Sequence, residues 1–152
     1  MTPERLQTII HTGEKLHIEF KGEGTRALPD RELVEAVACM ANRRGEEPGW
    51  VLVGVEDNGT VTGARPRHEA GQTDPPRVQA LLANLTRPSL SCRVEIIPID
   101  DKPVLVVQVP PSSTPVGTSD GRYQRRALTT QGRPECVPFH FHEMQALQAD
   151  RR

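Results

Sequence analysis

The run WVLVGVE, residues 50–56, constrains this chain more than any other stretch. It is apolar almost throughout. GEEPG breaks the chain before it and Asp57-Asn58-Gly59 turns the chain after it. An apolar run this short, bounded by turn residues, reads as a central strand covered on both faces. The rest of the sequence must then supply the layers that cover it.

Other segments fall into place around that strand. TPERLQTIIHTG reads as a short helix, with Thr2 to cap it, Pro3 in its first turn and Gly13 to stop it. KLHIEFK alternates Leu16, Ile18 and Phe20 with Lys15, His17, Glu19 and Lys21, the period of a half-buried strand. Asp30 precedes RELVEAVACMANRR, whose Leu33, Val34, Val37 and Ala38 form a helical stripe. TVTGA is expected to return as a strand and close a hairpin with WVLVGVE. Residues 63–76 read as a polar connection, and Asp74 opens a helix over PPRVQALLANLTR. CRVEIIPI and PVLVVQVP read as strands joined at Asp100-Asp101-Lys102, RYQRRA as one more strand, and FHFHEMQALQAD as a closing helix. Helices and strands alternate without a strict βαβ rhythm. The class expected is α+β, a mixed and largely antiparallel sheet with flanking helices in a single domain over residues 1–152.

Composition narrows the function classes. The 19 Lys and Arg nearly balance the 20 Asp and Glu, so a polyanion must be met by a local basic patch. One Trp, one Tyr and three Phe are too few for a broad base-stacking platform. Cys39, Cys92 and Cys136 are widely spaced with no CxxC, and read as reduced, mostly buried thiols of a cytoplasmic protein. The first residues lack the pattern of a signal peptide, and no apolar run has the length of a membrane span, so no membrane partner is expected. No P-loop, GxGxxG or Ser-His-Asp pattern occurs, and no organic cofactor is expected.

Glu14, Glu19 and Asp57 are the acids of interest. A few carboxylates can hold Mg or Mn while leaving coordination sites for water and a phosphate oxygen. The same residues read equally as solvated acids, Glu14 closing a helix and Asp57 opening a turn, and Glu56 is a substitute third ligand. Lys21 can hold a phosphate or simply discourage edge pairing. Arg43 and Arg44 suit a helix C-terminus, whereas Arg122, Arg125 and Arg126, with Arg133, read either as a solvated edge strand or as phosphate contacts. His140 and His142, two apart, read as surface or capping residues.

Taken in order, Glu14, the Glu19-Phe20-Lys21 strand, the helix ending in MANRRG, VLVGVEDNGTVTG and the late DGRYQRR…GRP resemble the Schlafen AlbA-type domain over roughly residues 14–144. The resemblance implies nucleic-acid binding. It also implies a metal-dependent endoribonuclease acting on RNA such as tRNA, with Glu14, Glu19 and Asp57 as catalytic acids and as ligands of Mg or Mn. Lys21, Arg43, Arg44, Arg122, Arg125, Arg126 and Arg133 would then bind the RNA or DNA backbone. Two loops depart from the family pattern: ANRRGEEPGW separates its glycines by an insertion, and RRALTTQGRP replaces a shorter Arg-Val-Gly-Ser-Ser stretch. A homodimer could rebuild a two-lobed groove from one small lobe. The alternatives are a non-catalytic DNA-binding or regulatory module, or a dimerisation module that uses VLVVQVP as an exposed sheet edge.

Overall fold

In the computed structural model, which describes residues 1–150, the elements run α1 (Pro3–Thr12), β1 (Ile18–Lys21), α2 (Asp30–Ala41), β2 (Gly49–Val53), α3 (Pro75–Asn84), β3 (Thr86–Arg87), β4 (Arg93–Ile99), β5 (Lys102–Val109), β6 (Gly117–Thr118), β7 (Gln124–Leu128), β8 (Pro134–Pro138) and α4 (Phe141–Asp150). The main sheet has the order β1-β2-β5-β4. β1 runs parallel to β2, with α2 as the crossover, and the other two pairings are antiparallel. The protein is thus α+β with a mixed, largely antiparallel sheet.

Strand β2 is buried at every residue, as its composition requires. Alternation along β2 and β5 splits the core in two. Val51, Val53, Leu105 and Val107 face Leu33, Val37 and Met40 of α2 and Val78 and Leu82 of α3. Leu52, Val104 and Val106, with Ile18 and Phe20 of β1, face Leu6 and Ile10 of α1. Helix α1 begins where expected, since Thr2 Oγ1 accepts the Arg5 N–H at 3.1 Å. Gly13, at φ 84°, takes the chain out of the helix. Helix α2 begins one residue earlier than its capping pattern suggests, with Pro29 as N-cap and Asp30 in the first turn. β4 and β5 join through Asp100 and Asp101, both with positive φ (49° and 66°), the backbone of a tight hairpin turn.

Four expectations are corrected. The first strand starts only at Ile18, because Lys15 and Ile18 exchange backbone hydrogen bonds in a turn (3.0 and 3.1 Å). TVTGA makes a single bridge, Val55 to Val61, and no strand. Gly54 explains the departure: its φ of 100° bends the chain, and a Cβ there would lie 2.4 Å from the Ala64 nitrogen. PVLVVQVP is not an edge, because β5 lies between β2 and β4, which removes the basis for a dimer built on it. The cysteines are not all thiols: Cys39 on α2 is bonded to Cys136 on β8, 97 residues away. Cys92 stays a free buried thiol, and burial pushes its pKa up to about 12.

The β7–β8 hairpin is the element that positions the site. Its second strand falls on residues whose prolines hid it from the periodicity. The hairpin is fastened to α2 twice, by the disulfide and by Asn42. The Asn42 amide donates to the carbonyls of Val116 (2.8 Å) and Gln124 (2.7 Å) and accepts the Val116 N–H (2.9 Å). Among the described residues, no helix is long and apolar enough to cross a membrane.

Replacing both Cys39 and Cys136 by alanine is expected to lower the unfolding free energy by roughly 2–4 kcal/mol, because a long loop is no longer closed in the unfolded chain. Denaturant unfolding of the oxidised protein against this variant measures the loss, and thiol titration of the unreduced protein in denaturant should count one free thiol.

Candidate nucleic-acid interface

The three acids share one electrostatic neighbourhood. Glu14 follows α1 and turns back so that its Oε1 accepts the Phe20 N–H at 2.9 Å. Its carboxyl pKa is raised, chiefly by burial. The Phe20 hydrogen bond opposes the shift, the charges of Glu19 and Asp57 add to it, and Arg126 opposes it. Glu19 projects from β1 with Lys21, whose Nζ is 3.6 Å from it. Asp57 sits in the exposed turn after β2.

Among the described residues, no three His, Cys, Asp or Glu side chains gather as ligands for a metal ion. Glu19 is neutralised instead by Arg126, whose Nη1 donates to its Oε2. Glu56 is occupied as well, accepting from Thr62 Oγ1 at 2.6 Å and from the Gly24 N–H at 3.3 Å. The residues as placed do not fit a divalent cation.

Arg126 explains why a charged residue can face inward from β7. Its side chain is fully buried, and every nitrogen finds an oxygen. Nε donates to the Leu16 carbonyl (3.1 Å), Nη2 to those of Lys15 (2.5 Å) and Ile18 (3.1 Å), and Nη1 to Glu19. A buried guanidinium is tolerated only with such complete pairing. Arg43 is likewise buried, with Nη1 donating to the Met40 carbonyl at 2.9 Å and Nη2 to that of Glu47. Both arginines were expected at the phosphate surface. Their burial and their carbonyl partners make them internal braces.

The remaining cations lie outside. Arg44 is exposed and meets Asp150 of α4 at 3.1 Å. Arg125, on the opposite face of β7 from Arg126, meets Glu143 of α4 at 2.6 Å, while its Nε is buried with no partner among the described residues. Two cavities, of about 580 and 540 Å³, adjoin at Leu16, Arg44 and Leu128, and together they are called the trough. Glu14, Lys15 and His17 line one end, and Arg125, Glu143 and Leu147 the other. Exposed Arg133 neighbours two of its lining residues, Gly132 and Pro134. Lys21 lines a separate hollow of about 240 Å³ with Glu35, which Arg122 approaches to 3.8 Å. The sequence-derived cations therefore divide into two braces, a trough group and a second small group. His140 immediately precedes α4, and its backbone N–H donates to Glu143 Oε1 at 3.1 Å, so the Glu143 carboxylate caps the start of the helix.

Sequence reasoning missed Glu23. It is buried, accepts the N–H groups of Leu28 (2.6 Å) and Arg65 (2.8 Å), and lies 3.8 Å from Arg67. It shapes the loop between β1 and α2 against the connection after β2. Its partners lie up to 44 residues away in sequence, so no local pattern marks it.

The fold recurs in solved structures. The crystal structure of the DIP2311 protein from Corynebacterium diphtheriae superposes with a TM-score of 0.70 at 19% identity, over 97% of this chain and 28% of that one. This chain thus spans under a third of that protein. The solution structure of the N-terminal domain of a RecG-related protein from Nitrosomonas europaea matches with a TM-score of 0.49 at 23% identity, over 93% of this chain and 97% of that one. No curated protein matches the sequence. The family model described as Schlafen, AlbA_2 covers residues 14–133, and the chain belongs to that family. Membership makes it a nucleic-acid-related domain.

Arg126→Met is expected to cost about 3–5 kcal/mol in chemical denaturation, since it removes the buried partner of Glu19 and leaves only the more exposed Lys21, and Glu19→Gln in the same chain should recover part of that loss. Glu14→Gln tests the raised carboxyl, because its amide oxygen can still accept the Phe20 N–H. A carboxyl whose folded pKa is raised penalises the fold once it ionises, from the ordinary carboxylate range upward. The variant should therefore gain stability relative to the wild type as pH rises through and above that range, and equal pH profiles would refute the assignment.

Proposed function

We propose that this protein binds the phosphodiester backbone of a nucleic acid along the trough between β7, α4 and the segment before β1. One observation carries the reading. Arg44 and Arg125 stand on the trough with their charges met by Asp150 and Glu143, both from α4. The Arg44–Asp150 pair is well exposed, and such pairs are weak and easily screened. A phosphate can take the place of either carboxylate, offering charge-assisted hydrogen bonds of the same kind. Arg133 extends the cationic rim, and Lys21 and Arg122 offer a second contact zone. Arg43 and Arg126 act by holding the loop and the hairpin in place.

The finer part of the proposal is that the strand is RNA, and it rests on the resemblance to Schlafen proteins. Cleavage is left out of the proposal, because Glu19 is committed to Arg126 and, among the described residues, no set of three ligands gathers.

Binding should weaken steeply with salt, the signature of counterion release. Arg44→Glu should weaken it at any salt, while Glu143→Gln with Asp150→Asn should strengthen it by removing the competing carboxylates. Fluorescence anisotropy with labelled RNA and DNA of one sequence reads all three effects, and tighter binding of the RNA supports the finer reading. Affinity indifferent to salt and to all of these substitutions would overturn the assignment. Mn-dependent cleavage abolished by Glu14→Gln would instead show that the acids rearrange into an active site.

A further inference from the structure

The trough is more than an electrostatic track, because its floor is apolar. Leu128, at the end of β7, is 56% exposed and belongs to both of its halves. Leu16, Phe139 and Leu147 lie with it. A leucine left this open inside a concavity has a binding use more often than one standing alone on a convex surface. Above this floor stand Arg44 and Arg125, and among the described residues no acceptor meets the buried Arg125 Nε. Glu14, Lys15 and Glu47 line the far half, and the two arginines stand at the near half, where a phosphate would displace Glu143 or Asp150.

We propose that the trough takes an unpaired stretch of nucleic acid in preference to a duplex, with a phosphate against Arg44 and Arg125 and a base against Leu128. This rests on the nucleic-acid reading above and specifies the form of strand the site accepts. A duplex stacks its bases inward and shows a convex face of sugar and phosphate. It can reach the arginines, but it has nothing apolar to lay on Leu128. An unpaired strand exposes phosphate and base together, and a base face can cover apolar side chains whatever its sequence. The scarcity of aromatic residues fits this arrangement, because one or two bases on an aliphatic floor need no row of rings. The cavity volumes, about 580 and 540 Å³, fall in the range that small ligands occupy.

The test uses a labelled oligonucleotide of about twelve nucleotides, within the usual span of a single-strand site, alone and annealed to its complement at one salt concentration. The single strand is expected to bind at least about fivefold tighter than the duplex, the ratio that one well-seated base supplies. Leu128→Ser should reduce single-strand affinity by about the same factor and leave duplex affinity unchanged. Leu128 is exposed enough for the variant to fold, and Ala146→Gln, a neutral and bulkier side chain on the exposed opposite wall, should give the same selective loss. Equal or tighter duplex binding, or single-strand affinity untouched by both variants, would overturn this inference while leaving backbone binding intact. Failure of both forms to bind would remove this inference and the proposed function together.

Discussion

The contact between Arg126 and Glu19 is the constraint on which the rest of the site hangs. β1 is an edge strand of the main sheet, and its free edge would ordinarily present unpaired backbone groups. Arg126 reaches across from the β7–β8 hairpin and satisfies three carbonyls there and just before β1, while its charge is met by Glu19. One side chain thus caps an edge, neutralises an acid on the inner face of the sheet and joins two regions more than a hundred residues apart. The hairpin's position follows from that contact, and the trough follows from the hairpin's position.

The end of α2 supplies the second anchor. Asn42, Arg43 and Cys39 lie within five residues of one another, and each ties the helix to something distant or curls the following loop. The loop between α2 and β2 carries Arg44, and its path is held by the Arg43 guanidinium on the carbonyls of Met40 and Glu47. Two adjacent arginines therefore do opposite jobs. One disappears into the protein to hold the loop, and the other stands on the loop in contact with solvent.

Much of the frame was legible in the sequence, because it follows from local periodicity. The central character of β2, the stripe of α2, the cap of α1 and the β4–β5 hairpin all follow from residues within one segment. What stayed hidden depends on distant partners. Nothing near Arg126 says that its charge will meet Glu19, and nothing near Cys39 names Cys136. Proline at both ends of β8 masked a strand whose ladder tolerates it at those places. The acids were legible as a group, since Glu14 does feel Glu19 and Asp57. The arginine that occupies one of them was not. In the sequence every arginine of RYQRR carries the same charge, and only burial separates the brace from the surface cation.

The walls of the trough come from both ends of the described chain, with Glu14 to His17 on one side and α4 on the other. Among the described residues helix α4 reaches Asp150, whose carboxylate lies against Arg44. Any module joined beyond α4 would start its tether at the trough itself. A short tether gives a local concentration in the millimolar range, so even a weakly acidic or weakly strand-binding appendage would compete with, or reinforce, whatever the trough holds. A helix that forms one wall of the trough would thus expose the site to control by covalent neighbours with no change in its own side chains.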